Sequence, residues 1–446
     1  MSSVDTICAI SSGTGQAGVG VIRVSGPLAL AIAKKILGYS PTPRYAHYGS
    51  FNNKDAEPID KGVALFFPSP NSFTGEDVFE LQGHGGVKVM RSLMDTAIEY
   101  GAKTADPGEF SKRAFLNGKM DLVQAEAVAD LIAANSEQSA RSALRSLTGE
   151  FSSKVNLLTK SITELRVFIE ATIDFSDEEI DFLESHQVKE KLVNIEYEIG
   201  TILSSAKHGA ILREGLYIVI AGKPNAGKSS LLNALTMESS AIVTDEAGTT
   251  RDVLRETINI NGVPLNIIDT AGLHLSENKI EKEGIKRAHV EIERADVVIL
   301  VFDAEEKKAD LSILPADLDD KPVLLVKNKS DLTGEPIERS DKQGQVQITL
   351  SAKQDLGVNL LREELAEIAG VNDLGETVVL ARKRHIIALE SALIYIKNAT
   401  EQFENGASEL LAEDLRQAGL QLGSITGEFS SDDLLGEIFS SFCIGK

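Results

Sequence analysis

The stretch Leu216–Leu235, LYIVIAGKPNAGKSSLLNAL, restricts the fold more than any other part of the chain. An apolar run with alternating β-branched residues, Leu216 to Ala221, stops at Gly222. Gly222-Lys223-Pro224-Asn225-Ala226-Gly227-Lys228-Ser229 then completes a G-x-x-x-x-G-K-S pattern, and Leu231, Leu232 and Leu235 continue at helical spacing. Strand before and helix after is the context a phosphate-binding loop requires. The glycines let the backbone wrap closely, so that its N–H groups and the positive helix end face a phosphate. Lys228 is placed to reach the β- and γ-phosphates, and Ser229 to hold Mg²⁺. A nucleoside triphosphate site is therefore expected here.

The rest of the chain must accommodate that site. Its 446 residues are enough for roughly two to four domains. A hydrophobic content of 42% and a charged content of 25% are ordinary for a globular protein. No run approaches the roughly 18 apolar residues of a membrane span. The opening MSSVDTICAISSG has neither a basic start nor an apolar signal core. Two cysteines, Cys8 and Cys443, argue against a disulfide framework and for a reducing, cytoplasmic setting. The net charge of −22 excludes broad nonspecific nucleic-acid binding, because counterion release needs a basic surface. Any RNA contact must use a local basic patch or a partner's surface.

Residues 1–118 mix strand patterns (Thr6–Ile10, Gly20–Val24, Gly62–Phe67, Val78–Gln82) with a helix expected over Val87–Tyr100. Gly13-Thr14-Gly15-Gln16-Ala17-Gly18 matches the dinucleotide fingerprint, but a strand pattern follows it where the fingerprint needs a helix. A tight turn is expected there instead. From Lys119 the chain turns helical. Leu144, Leu147, Phe151, Val155, Leu158, Ile162, Leu165, Ile169 and Ile173 form one stripe, expected on a single extended helix. A second stripe runs Val188, Leu192, Ile195, Ile199, Ile202 and Ala206. The acidic turn Asp177–Asp181 between them reads as a solvated hairpin connection, since no calcium-loop pattern is present. Residues 211–375 alternate strand and helix patterns, and 376–446 return to helix over Val379–Phe403 and Ser408–Gly423. Arg382-Lys383-Arg384-His385 reads first as a solvated helix face and second as a tRNA phosphate patch. The expected fold class is multidomain α/β plus all-α: an N-terminal α/β domain (1–118), and a helical domain in two parts (119–210 and 376–446). A parallel sheet with helices on both faces (211–375) is inserted into the latter.

Three further constellations lie within the inserted segment. Ile267-Ile268-Asp269-Thr270-Ala271-Gly272 ends a strand whose hairpin partner precedes the turn signal Asn261-Gly262. Asp269 would sit near Mg²⁺, and the Gly272 N–H near the γ-phosphate. Val323–Val326 leads to Asn328-Lys329-Ser330-Asp331, where a buried carboxylate selects guanine, since adenine would leave it unpaired. Ser351-Ala352-Lys353 can close the base pocket. In order and at strand ends, these identify a GTPase. Gly248-Thr249-Thr250-Arg251-Asp252 occupies the place of a γ-phosphate-sensing switch, with Thr250 as Mg²⁺ ligand. Leu273 stands where signalling GTPases put a water-positioning glutamine, so another group must do this. Glu281 is the first candidate, with Glu277 and His274 behind it. Neither Arg251 nor Arg255 is a clear arginine finger; a monovalent cation held by Asn225 would supply the missing charge.

On these residues the chain resembles the MnmE (TrmE) family of tRNA-modifying GTPases along its whole length. The carrying stretches are Asn71–Asp77, Leu81–Gly86, Pro107–Phe110, Ala221–Leu235, Gly248–Asp252 and Phe442–Lys446. The resemblance implies a folate-binding, dimerising N-terminal domain, a discontinuous helical domain and an inserted P-loop GTPase domain. It implies a homodimer acting with the flavoprotein MnmG (GidA), which would carry FAD, in a heterotetrameric or larger complex. Together they would place a carboxymethylaminomethyl or aminomethyl group on the wobble uridine of certain tRNAs, from a tetrahydrofolate donor and with potassium-dependent GTP hydrolysis. By the same resemblance Asn225, Thr244, Glu246 and Thr249 would ligate K⁺, Ser229 and Thr250 would ligate Mg²⁺, and Glu281 would position water. The nucleotide contacts would be Asn225, Ala226, Gly227, Lys228, Ser229, Ser230, Thr244, Asp245, Glu246, Ala247, Gly248, Thr249, Thr250, Asp269, Thr270, Ala271 and Gly272. Asn328, Lys329, Asp331, Ser351, Ala352 and Lys353 complete them.

Arg23, Glu80, Lys119 and Lys446 would line the folate pocket by the resemblance. Chemically, a carboxylate such as Glu80 suits a pterin edge, and a cation suits the anionic glutamate tail. Cys443 reads as a buried packing residue first and a chemical thiol second. The alternative function is a regulatory GTP-dependent switch without RNA chemistry. The N-terminal domain and Cys443-Ile444-Gly445-Lys446 speak against it, because such a switch has no need of either.

Overall fold

The computed structural model describes residues 5–445 apart from 14, 135, 175–181, 237–254, 261–262, 270–289, 307, 316–317, 319–320, 343, 371–378 and 429–431. The chain forms two compact units. One comprises Met1–Ala133, Leu144–Ile199 and Ala388–Lys446; the other comprises Ala134–Ala143 and Gly200–Ile387.

The first unit holds a six-stranded sheet built from β1 (Ile7–Ile10), β2 (Ala17–Ser25), β3 (His47–Asn52), β4 (Pro58–Phe67), β5 (Val78–Gly85) and β6 (Lys103–Thr104). Their order is β3-β4-β5-β2-β1-β6, antiparallel except for β1 with β6. Because side chains alternate along a strand, Ile22 and Val24 enter a core with Phe79, Leu81, Ala64 and Phe66, while Arg23 faces the other way. The helices Ala29–Leu37 and Val87–Glu99 cover the core face through Ile32, Ile36, Met90 and Leu93. β2 begins at Ala17, so the Gly13–Gly18 stretch feeds a strand and not a dinucleotide-binding helix.

The helical part of this unit joins residues from both sides of the nucleotide segment. The 25-residue helix Glu150–Asp174 buries Phe151, Val155, Leu158, Ile162, Leu165 and Ile169 on one stripe. The helix Ser408–Thr426 packs along it, burying Leu411, Leu415, Ala418, Leu422 and Ile425. The expected single helix from Leu144 onward is in fact two. Glu137–Leu147 ends at Thr148, Gly149 takes φ +86°, and a new helix starts at Glu150. Glycine past the last helical residue is the ordinary stop signal; the apolar spacing across it imitates continuity, yet Leu144 is exposed. The second stripe lies on the 33-residue helix Phe182–Glu214, and Asp177–Asp181 falls outside the described residues.

In the second unit, among the described residues, a seven-stranded sheet has the order β12-β13-β11-β10-β7-β9-β8. Its strands are β7 (Leu216–Ala221), β8 (Arg255–Ile260), β9 (Val263–Asp269), β10 (Val297–Asp303), β11 (Val323–Asn328), β12 (Glu338–Lys342) and β13 (Gln345–Thr349). β13, β11, β10, β7 and β9 run parallel, with antiparallel β12 and β8 at the edges. Ile260 pairs with Val263, so β8 and β9 are the expected antiparallel pair, and Asn261-Gly262 lies outside the described residues. Both faces are apolar, as a parallel sheet requires. Ile218, Ile220, Ile299 and Val301 join Leu231, Leu235, Leu361 and Leu365 of the helices Lys228–Thr236 and Val358–Ile368. Val219, Ala221, Val298 and Leu300 join Ile292 and Leu314 on the other side.

The last expected helix starts later than its sequence pattern. It spans Lys383–Glu404, and Val379–Ala381 precede it as buried, non-helical chain. The backbone of Val379 lies so close to Gly209 that a Cβ there would meet the Val379 carbonyl oxygen at 1.8 Å. The basic cluster is not a uniformly solvated face. His385 is buried, and its Nδ1 accepts the Arg382 N–H at 3.1 Å, while Lys383 alone of the four is fully exposed.

Candidate nucleotide-binding site

Parallel strands β7, β9, β10, β11 and β13 all end on one edge of the sheet, the edge where open α/β sheets bind ligands. The turn leaving β7 is shaped by contacts only glycine allows. Gly222 has φ +148°, and a Cβ on it would meet the Val301 carbonyl oxygen at 2.2 Å. Asn225 takes the left-handed conformation at φ +64° and Gly227 at φ +93°. The helix then starts at Lys228, whose side chain is buried. Its Nζ donates to the carbonyl oxygens of Gly222 at 2.8 Å and Lys223 at 2.9 Å, folding the loop around its own lysine. A cavity of about 490 Å³ opens over this turn, lined by Pro224, Asn225, Gly227, Lys228, Ser229, Ser230 and Lys329. A helix N-terminus, a buried ammonium and a backbone ring suit a polyphosphate.

Of the residues expected to read the base, Lys329 lines the same cavity, and Asn328 ties its neighbours to the loop. Asn328 ends β11 and is 2% exposed. Its Nδ2 donates to the Ala226 carbonyl oxygen at 3.0 Å, tying β11 to the phosphate loop. Its Oδ1 accepts the Lys329 N–H at 2.8 Å and the Ala352 N–H at 3.0 Å, tying β11 to the residues after β13. Lys329 then turns left-handed at φ +67°. Ser351 Oγ donates to Asp331 Oδ1 at 2.6 Å, so the carboxylate that would read guanine is held from behind. Ser351 and Ala352 are buried and Lys353 is exposed. Sequence reasoning missed Asp303 at the end of β10, which accepts from Lys329 Nζ at 2.6 Å. That hydrogen bond holds the Asp303 carboxyl below its ordinary value, against the opposing effect of partial burial. The signal was present as an apolar run, Val297–Phe302, ending in an acid.

Asp269 is the last residue of β9. Thr244, Asp245, Glu246, Ala247, Gly248, Thr249, Thr250, Thr270, Ala271, Gly272, Glu281 and Lys446 lie outside the described residues.

In the first unit Arg23 and Glu80 are directly opposed on β2 and β5 and form one ion pair, Nε to Oε1 at 2.8 Å, instead of two separate anchors. The Arg23 guanidinium lies 5.0 Å from the Phe73 ring and 5.7 Å from the Phe110 ring. Neither phenylalanine was singled out from sequence. Lys119 is exposed beside Gly75. The C-terminal segment reaches this sheet: Ser11 Oγ donates to the Gly445 carbonyl oxygen at 2.8 Å, and Ile444 bridges Pro107. Cys443 is exposed, contrary to its expected burial, because the segment docks through its backbone; Cys8 is the buried cysteine. In the Leu81–Gly86 stretch, Gly83 leaves room for the Asp60 carboxylate, which accepts the His84 N–H and meets ring Nδ1, both at 2.7 Å.

Comparison with known proteins adds names to this geometry. Residues 6–119 match the model of the GTP-binding protein TrmE N-terminus, and residues 122–443 match that of the MnmE helical domain. The tRNA modification GTPase MnmE of Ruthia magnifica subsp. Calyptogena magnifica is 68% identical over 445 residues, covering 100% of both chains. That of Hydrogenovibrio crunogenus is 52% identical over 448 residues, covering 100% of this chain and 99% of its own. Among solved structures, the FeoB G-domain from Methanococcus jannaschii aligns with 35% of this chain and 98% of its own, at 25% identity and a TM-score of 0.26.

Proposed function

Because the chain belongs to the MnmE family of tRNA modification GTPases, we propose that it is a potassium-dependent GTPase working on the wobble uridine of certain tRNAs. With a flavoprotein partner carrying FAD, it installs a carboxymethylaminomethyl or aminomethyl group, using a tetrahydrofolate as one-carbon donor. The observation that carries the nucleotide half is the meeting of Lys228, Ser229 and Lys329 around a cavity of about 490 Å³, with Asn328 tying β11 to the phosphate loop.

Ser229, in the first turn of the helix and on the cavity wall, fits a Mg²⁺ ligand, with Thr250 as its partner. Asn225, held left-handed on the same wall, fits a K⁺ ligand, with Thr244, Glu246 and Thr249 completing the set. Held by these residues, the two cations would supply positive charge against the charge that develops on the phosphates. Lys228 binds the phosphates, Asp331 reads the base, and Glu281 orients the attacking water. The Arg23–Glu80 pair, flanked by Phe73 and Phe110, fits a flat heteroaromatic ring with a polar edge. Lys119 and Lys446 are assigned to the anionic tail of the folate.

The chain acts as a homodimer bound to the flavoprotein in a heterotetrameric or larger assembly. The cytoplasm, where tRNA is found, is its place of work. The deciding experiment is reconstitution of the full-length protein with the flavoprotein, tRNA, a tetrahydrofolate and GTP, followed by nucleoside analysis. An aminomethylated wobble uridine is expected, and an unmodified one with GTP consumed would overturn the reading in favour of a regulatory switch.

A further inference from the structure

The acidic turn after β10 touches both walls of the nucleotide cavity without lining it. Asp303 ends β10 and pairs in register with Asn328 of β11. Its Oδ1 accepts the Glu305 N–H at 3.1 Å, which fixes the side chain against its own turn. Its Oδ2 accepts from Lys329 Nζ at 2.6 Å. The two side chains are 23% and 31% exposed, so solvent screens them less than a surface pair. Farther along the turn, Glu306 accepts from Lys223 Nζ at 3.1 Å, and the Asp310 carboxylate lies 3.5 Å from the same ammonium. Lys223 belongs to the phosphate loop and Lys329 to the base-reading loop. One acidic segment therefore holds a lysine from each.

We propose that Asp303 is a positioning residue for guanine-nucleotide binding: it pins Lys329 Nζ at the end of β10, so that the lysine's methylene stem forms a preset wall of the cavity. Lys329 lines the cavity and Asp303 does not. An unrestrained lysine side chain gives up rotamer freedom when a ligand orders it. Here the ion pair has ordered it before the ligand arrives, which favours binding. The αL backbone at Lys329 sets the starting direction of the stem and Asp303 sets its end. The stem is apolar and suits the face of a purine ring. Glu306 and Asp310 hold Lys223 of the phosphate loop on the other side.

The test is equilibrium binding of a fluorescent GDP to the full-length protein, with steady-state GTP turnover measured beside it. Asp303→Asn is expected to weaken GDP about tenfold, the scale of one charge-assisted hydrogen bond. The loss should fall on KM for GTP more than on kcat. Asp303→Ser keeps an acceptor for the Glu305 N–H and drops only the lysine contact, so it separates this role from the stability of the turn. It should weaken GDP as Asp303→Asn does, and Asp303→Glu should return part of the affinity. In a Lys329→Met background, where the stem remains but the charge is gone, neither Asp303→Asn nor Asp303→Ser should weaken GDP further. Affinity unchanged in Asp303→Ser, or a loss equally large with Lys329 replaced, would overturn the proposal.

Discussion

Gly227 and Asn328, 101 positions apart in sequence, are in such close contact that a Cβ on the glycine would fall 2.2 Å from the Asn328 Nδ2. The phosphate loop and the base-reading strand thus share one contact, and neither half of the site is formed independently. Gly227→Ala must displace Asn328 and also adopt φ +93°, a conformation that strains an alanine by about 1–3 kcal/mol. Guanine nucleotide affinity is expected to fall about a hundredfold, at roughly 1.4 kcal/mol per factor of ten. Calorimetric titration with GDP checks this, and near-normal affinity would contradict the account of the loop.

In the proposed function base choice rests on Asp331, whose carboxylate accepts from the Ser351 hydroxyl. A carboxylate accepts from both N–H donors on the guanine edge; an amide offers one acceptor and one donor. Asp331→Asn should therefore weaken GTP between about tenfold and a hundredfold, and improve a xanthine nucleotide, whose carbonyl replaces the exocyclic amine. Competition binding with the two nucleotides reads the exchange, and no change in their ratio would remove Asp331 from base recognition.

Turnover of GTP should be much faster in K⁺ than in Na⁺ at equal ionic strength. Asn225→Ala should lose most of that difference while retaining GDP binding, because the phosphate loop backbone remains. Equal rates in the two salts for the unaltered protein would end the potassium part of the proposed mechanism.

The two cysteines should react very differently. Cys443 is exposed and Cys8 is buried, with its thiol pushed up to about 11 by burial first and by Asp95 second. At pH 8 iodoacetamide should label Cys443 readily and spare Cys8 until the protein unfolds, since the thiolate is the nucleophile. The raised value favours the neutral thiol in the fold. Its contribution to stability is fully present below the unfolded value near 9 and is lost as pH rises through about 11. Mass mapping after alkylation checks the first point, and denaturant midpoints of the wild type and Cys8→Ser across pH 8–11 check the second.

The nucleotide half of the molecule was legible because its chemistry is local. Gly222 through Ser229 are consecutive, and Asn328 to Asp331 and Ser351 to Lys353 sit directly at strand ends. Asp303 was not legible, because it sits 26 residues from Lys329 and meets it only through the register of β10 with β11. The Arg23–Glu80 pair is similar: both residues were named from a resemblance, but their mutual contact follows from the antiparallel pairing of β2 with β5. The rings of Phe73, before β5, and Phe110, in the helix Glu109–Leu116, join them only in the folded unit. Helix ends failed where an apolar period ran through a stop. Gly149 interrupted a stripe whose spacing was intact, and Val379–Ala381 were apolar for their contact with the helix at Gly209 and not for a helix of their own.

The docking of Gly445 against Ile10 and Ser11 sets an order on biosynthesis. Ser11, just past the first strand, finds this hydrogen-bond partner only 434 positions further along the chain. The nucleotide unit, complete by Ile387, leaves the ribosome earlier. A chain that stops before Gly445 would therefore carry the whole nucleotide unit while Ser11 lacks its partner.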